Sequence, residues 1–324
     1  LVKGKLTITE NDIDHVLLKS DGSFPLDAPG KIAIYGNAAR KTIKGGTGSG
    51  DVNVRHYVGI EEGLENGGFT ITSKAWLDSY DALWAKANKE FKAGIKAKIV
   101  AEGLSAIMLG IGAIMPEPEY EFPLDAEGDT AIYVLGRISG EGADRAPEKG
   151  NLEMTDTEIR DILQLQKQYK RFLLVLNVGG VVDLSPVVNE VSNVLLLSQL
   201  GIAMGDAFVD VLLGKAYPSG KLASTWARWE DYCQAGDFGD PNDTHYREGI
   251  YVGYRYFDSV DKQPMFPFGF GLGYTSFEIE AKDAILDGSK VSVTAKVTNT
   301  GKRPGKEVVQ LYVGDKESLS LIHI

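Results

Sequence analysis

Ala131-Ile132-Tyr133-Val134-Leu135 runs directly toward Ser139-Gly140-Glu141-Gly142-Ala143-Asp144-Arg145. Five consecutive apolar or aromatic residues describe a strand buried on both faces, as in a parallel sheet covered by helices. Glu141 therefore stands on a loop at a strand's carboxyl end, where ligands of open parallel sheets collect. Gly140 and Gly142 let the backbone turn tightly and keep bulk away from the acid. Asp144 and Arg145 can fix the loop by pairing with each other or with neighbours. A solvated acidic loop explains the same residues locally, so the rest of the chain has to separate the two readings.

On either side the pattern alternates. Lys31-Ile32-Ala33-Ile34-Tyr35-Gly36 is an earlier strand, Phe172–Asn177 a later one and Leu195–Leu197 a shorter one. Helical patterns run from about Val58 to Asn66 and from Trp76 to about Lys98. Thr155 is placed as an N-cap with Glu158 at N3, opening a helix to about Tyr169, and Gly205–Leu213 forms another helix that stops at Gly214, with Pro218 beyond. Ile107–Ile111 reads as a short strand, and Asp12–Leu18 as a short helix inside an N-terminal arm spanning residues 1–29. This order predicts an α/β fold over residues 30–278, a mostly parallel sheet sandwiched by helices.

After about Lys282 the period falls to two. Lys290–Val297 and Glu307–Val313 are strands and Asn299–Lys302 is a turn, giving a partial antiparallel β-domain over residues 279–324. That stretch is too short for the roughly seven strands of a closed β-sandwich. The chain is expected to stop inside the module and to leave an exposed edge.

The 324 residues are 43% hydrophobic, carry a formal charge of −11 and hold no dense Lys/Arg block, which argues against nucleic acid or an anionic membrane as partner. Small neutral ligands fit, and so does a homo-oligomer. Cys233, the sole cysteine, excludes an intrachain disulfide and a multi-cysteine metal cluster and fits a reducing, cytoplasmic setting. The start, Leu1-Val2-Lys3-Gly4, is unlike a signal peptide, although the absence of an initial Met leaves room for a lost upstream segment. His15, His56, His245 and His323 show no ligand spacing, so no metal or cofactor is expected.

Lys44-Gly45-Gly46-Thr47-Gly48-Ser49-Gly50-Asp51 follows the first strand of the α/β region. Strand, glycine loop and helix can cradle phosphate, but this loop matches neither GxxxxGK[ST] nor a clean GxGxxG, and Asp51 would repel an anion. An uncharged ligand or a purely structural role remains. The Thr47 and Ser49 hydroxyls suit sugar-like donors and acceptors.

Several blocks together resemble the glycoside hydrolase family 3 β-glucosidases, and more narrowly the members with permuted domain order. Lys31–Gly36, Lys41–Asn53, Ser139–Arg145, Pro218–Leu222, Tyr246–Arg255 and Phe266–Phe277 are similar to the family's α/β sandwich domain. Val297–Gly301 with Gly305–Val313 is similar to the start of its fibronectin type III-like domain. The resemblance implies that Glu141 is the general acid/base of a retaining glycosidase, Ser49 and Thr47 bind sugar, and Asp144 and Arg145 position the loop. It also implies a nucleophilic aspartate on a catalytic barrel that this chain lacks and that is expected beyond Ile324. The implied substrates carry terminal non-reducing β-D-glucosyl residues, in oligosaccharides or aryl glucosides. A β-xylosidase or related exo-glycosidase is the nearest alternative. A noncatalytic carbohydrate-binding or structural module is a second, and a nucleotide-binding α/β protein a third.

Overall fold

The computed structural model describes residues 12–13, 15–46, 50–102, 115–138, 145–233, 242–243, 245–314 and 321–323. Thr47, Ser49, Glu141, Asp144 and the expected strand at Ile107–Ile111 lie outside the described residues.

In chain order the first elements are β1 (Asp12–Ile13), β2 (Val16–Lys19), β3 (Lys31–Tyr35), α1 (Ile60–Asn66), β4 (Thr70–Ile71) and α2 (Lys74–Glu102). They are followed by β5 (Thr130–Arg137), α3 (Asp156–Gln168), β6 (Arg171–Val178), β7 (Val194–Leu196), α4 (Met204–Leu212) and β8 (Tyr217–Pro218). A six-stranded sheet of order β2-β7-β6-β5-β3-β4 forms the centre, parallel throughout except that β2 runs antiparallel to β7. All eight residues of β5 are buried, so both faces of the sheet are covered at its middle. This is the α/β architecture that unbroken apolar runs demand: such a strand has no face it can show to water.

The helices begin and end where local chemistry directs. The Thr155 hydroxyl accepts from Glu158 N at 3.1 Å while the Glu158 carboxylate accepts from Thr155 N at 2.8 Å, a complete capping box at the start of α3. Helices α1 and α4 meet through glycines. A Cβ added to Gly205 would overlap the Gly59 carbonyl, and one added to Gly63 would overlap the Gly205 backbone, so the close approach requires both glycines. On the aromatic side, Trp76 sits edge-on to Tyr35 at 5.4 Å and stacks on Tyr80 at 5.5 Å, which joins the first turns of α2 to the sheet.

Two expectations are corrected here. Asp12–Leu18 is not a helix. Strand β1 pairs with β8, and β2 adds the sheet's antiparallel edge, with Leu17 opposite Leu195. Val16, Leu17 and Leu18 are all buried, so they behave as a short two-sided strand rather than one stripe of a helix. In the C-terminal part, β10 (Lys290–Asn299) pairs with β9 (Phe277–Asp287), a strand the sequence reading did not anticipate, across a turn at Gly288 with φ +57°. The strand expected at Glu307–Val313 is limited to its end, where β11 (Tyr312–Gly314) pairs with β12 (Leu321–His323). Between sheet and hairpin, the segment holding α5 (Tyr254–Ser259) folds back on the α/β body. Phe266 pairs with Trp226 across a bridge, and Leu272 N donates to Leu17 O at 2.8 Å.

Candidate active site

The candidate site is built at the carboxyl ends of β3, β5 and β6. Strand β3 leaves the sheet through Gly36, whose φ of +94° and contact with the Val134 backbone leave no room for a side chain. Asn37 then turns its amide onto the end of β5: Gly136 N donates to Asn37 Oδ1 at 2.6 Å and Asn37 Nδ2 donates to Gly136 O at 3.2 Å. The same Nδ2 reaches Glu117 Oε2 at 3.1 Å. Gly136 is glycine for a packing reason, since a Cβ there would lie 2.7 Å from Ala38 Cβ and 3.3 Å from Ile43 Cδ1.

Ile43 is a stem residue of the glycine loop and is fixed by fully buried Asn177 at the end of β6. Ile43 N donates to Asn177 Oδ1 at 2.6 Å, and Asn177 Nδ2 donates to Ile43 O at 3.0 Å and to Ser198 O at 2.7 Å. Lys44 O accepts from Gly201 N at 2.9 Å, and Lys44 Nζ pairs with Asp51 at 2.7 Å, joining the two stems of the loop. The repulsion of anions read into Asp51 is thus partly neutralised by its own loop.

The loop bearing Glu141 leaves β5 through Arg137. Its guanidinium is buried and meets Glu158 at 2.8 and 2.6 Å, with further bonds to Gly136 O at 2.8 Å and Asn151 O at 3.0 Å. Burial alone would pull its pKa down, but the Glu158 charge outweighs this and raises it. At the loop's other end Arg145 donates through Nε to Asn151 Oδ1, and through Nη2 to Asn151 O at 2.7 Å and Val181 O at 3.3 Å. Asp144, a partner expected for Arg145, lies outside the described residues; the described acceptors are neutral oxygens of Asn151 and Val181. Desolvation, followed by the nearby Arg137 charge, lowers its pKa.

Beside Ile43 and Arg137 lies a cavity of about 230 Å³, bordered also by Asn37, Lys41, Tyr80, Trp84, Glu117 and Asn151. Lys41 sits 4.5 Å from the Trp84 ring centroid. The Tyr80 hydroxyl donates to Glu117, whose pKa is raised by burial even though the Tyr80 and Asn37 donors favour its charged form. The arrangement offers polar and aromatic groups suited to a hydroxylated ligand, and Ile138, the last described residue before Ser139, borders the cavity. Among the described residues no group of three His, Cys, Asp or Glu is placed to hold a metal ion, and no helix is long and apolar enough to cross a membrane.

Residues 15–274 match the glycosyl hydrolase family 3 C-terminal domain. The chain belongs to glycoside hydrolase family 3. Among the relatives of this family 3 chain, a β-glucosidase of Ruminococcus albus is 36% identical over 311 residues, covering 92% of this chain and 31% of the relative. β-Glucosidase A of Butyrivibrio fibrisolvens is 33% identical, over 92% of this chain and 40% of the relative. The structure of β-glucosidase 3B from Thermotoga neapolitana in complex with α-D-glucose superposes with a TM-score of 0.74 at 33% identity, covering 92% of this chain and 42% of that one. The family 3 chain thus spans less than half the length of these relatives.

Of the five residues singled out from sequence, only Arg145 is described; Thr47, Ser49, Glu141 and Asp144 lie outside the described residues. What is described is their support, and it brings the Ile43 and Gly136 stems close together. Asn37, Asn151, Asn177 and Glu117 were not anticipated as parts of the site. Asn177 ends an apolar run and Asn37 follows one after Gly36, a signal ordinary loops share, while Asn151 and Glu117 carry none.

Proposed function

We propose that this chain is the acid/base-bearing part of a retaining β-glucosidase acting on terminal non-reducing β-D-glucosyl residues. The reading is carried by one observation. The described stems of the glycine loop and of the loop holding Glu141 lie close together at the carboxyl edge of the parallel sheet, where a Cβ on Gly136 would stand 3.3 Å from Ile43 Cδ1. The β-glucosidase names of its relatives and the glucose held by the Thermotoga neapolitana structure support the substrate class.

A retaining glycosidase sets two carboxyl groups about 5–5.5 Å apart across the glycosidic bond. In this proposal Glu141 protonates the leaving oxygen as a nucleophilic aspartate attacks C1, and it then removes a proton from the water that releases the sugar. The aspartate belongs to a barrel domain outside this chain that closes over the edge of the sheet. Ser49, with Thr47, binds sugar hydroxyls from the adjacent loop, and Asp144 and Arg145 position the acid. The β9–β10 hairpin is read as the start of a fibronectin type III-like domain.

The test is Glu141→Gln in the whole protein that carries this chain. Folding and sugar binding should persist while turnover of cellobiose falls about 10²–10⁴-fold, and an aryl glucoside with a good leaving group should lose much less. Cellobiose turnover near the unmodified rate would remove Glu141 from the acid/base role. Residues 1–324 alone should not hydrolyse p-nitrophenyl β-glucoside.

A further inference from the structure

Both stems of the loop that carries Glu141 are tied to one residue that is not on the loop. On the incoming side Arg137 Nε donates to the Asn151 carbonyl at 3.0 Å. On the outgoing side Arg145 Nη2 donates to the same carbonyl at 2.7 Å, while Arg145 Nε donates to Asn151 Oδ1. Two guanidiniums thus converge on Asn151 from opposite ends of the loop. The residue sits in a compact turn held by Asn151 N to Glu148 O at 3.1 Å and Leu152 N to Ala146 O at 3.2 Å. That turn is fastened in turn to the exit of β6, where Leu152 O accepts from Asp183 N at 2.8 Å.

The charges make the arrangement specific. Arg137 has its countercharge in Glu158, so its fork is locked before it reaches Asn151. Arg145, half-buried, meets no carboxylate among the described residues, and a neutral amide oxygen receives its Nε. Asn151 gives Arg145 two acceptors, its side-chain oxygen and its carbonyl.

We infer that Asn151 is a positioning residue for the loop of Glu141: it fixes the exit stem at Arg145 against the entrance stem at Arg137 and so sets where the acid stands. The inference rests on the reading of Glu141 as acid/base, because only then does the loop's placement affect rate. Displacing a catalytic group by about 1 Å can cost on the order of 10²-fold. Asn151→Ala removes the side-chain acceptor and keeps the backbone carbonyl. We therefore expect kcat for cellobiose to fall roughly 10-fold, with KM changed by less than about threefold, below that ceiling because part of the clamp survives. Asn151→Asp, which restores an acceptor for Arg145, should recover most of the loss.

The structural half is read by hydrogen exchange on the same variants. Asn151→Ala should speed exchange of peptides spanning residues 138–146 while peptides from β5 and β6 stay protected; Asn151→Asp should not. Unchanged exchange across 138–146 in Asn151→Ala overturns the inference, as does equal impairment of the Ala and Asp variants. If Asn151→Ala does not fold, Arg145→Lys, which keeps the charge and loses the fork, takes its place and must speed the same peptides. Faster exchange together with a Glu141→Gln variant of normal turnover would refute the acid/base reading while leaving the clamp intact. A kcat that collapses in Glu141→Gln but is unmoved in Asn151→Ala would refute the clamp alone.

Discussion

Replacing Glu158 with Gln would strand a buried cation with little change of shape. The side chains of Arg137 and Glu158 are 5% and 2% exposed, and the guanidinium meets both carboxylate oxygens at 2.8 and 2.6 Å. Gln has the same shape and is accepted at N3 of a capping box, so the start of α3 keeps its reciprocal bonds with Thr155. The change removes the countercharge and turns the amide nitrogen toward Arg137 Nη1, a donor facing a donor. Removing one partner of a buried pair costs about 3–5 kcal/mol, because the remaining ion is neither solvated nor paired. The lower half of that range is expected, since Glu117 also stabilises the Arg137 charge. For a domain of this size each kcal/mol moves Tm by about 2–4 °C, so the drop should be roughly 6–15 °C. Urea unfolding followed by circular dichroism, with calorimetry alongside, measures it. The double variant Arg137→Met with Glu158→Leu should be more stable than Glu158→Gln, as an apolar pair leaves no stranded charge. A Glu158→Gln cost below about 1 kcal/mol would mean that water reaches the pair, and the argument from burial would fail.

His15 is fully buried, neither ring nitrogen has a hydrogen-bond partner in the described structure, and burial holds its pKa down to about 3. The unfolded chain takes up that proton near pH 6.5, so the contribution to stability is complete above pH 6.5 and is lost as pH falls toward about 3. It should amount to about 2 kcal/mol between pH 7 and pH 5, and His15→Phe should remove this component from the pH dependence of the urea midpoint. Gly205→Ala, whose Cβ would overlap the Gly59 carbonyl, should cost about 3 kcal/mol or more, whereas Gly94→Ala, in open space on α2, should stabilise by up to about 1 kcal/mol; thermal melts compare them directly. Asn177→Ala deletes three hydrogen bonds to the main chain at Ile43 and Ser198 and should cost about 3 kcal/mol by the same denaturation assay.

The sequence made the sheet legible because buried parallel strands such as β5 and β6 are unbroken apolar runs, and it made α3 legible because a capping box is a local signature. Strand β2 was misread because four residues are too few to show a period, and what makes them a strand is pairing with distant β7. Strand β9 was missed where charged residues interrupt its alternation, and Glu307–Leu311 has strand composition but no strand partner in the described structure. The site divided along similar lines. Glu141 and its flanking glycines could be picked out as residue types, whereas Asn37, Asn151 and Asn177 acquire their roles only when the ends of separate strands are brought side by side. Glu117 is silent in sequence for the same reason: its partners, Tyr80 and Asn37, come from elsewhere in the chain.

Asn37 and Asn177 each present a donor and an acceptor in the same plane, as a peptide unit does, and each engages both the N–H and the C=O of one neighbouring residue. They act as spare rungs that prolong the ladder past its last strand residue. The segments at 47–49 and 139–144 therefore start from anchor points that lie outside them. Changes of length or composition between Lys44 and Gly50, or between Ile138 and Arg145, therefore need not disturb the hydrogen bonds that Asn37 and Asn177 add to the sheet's edge.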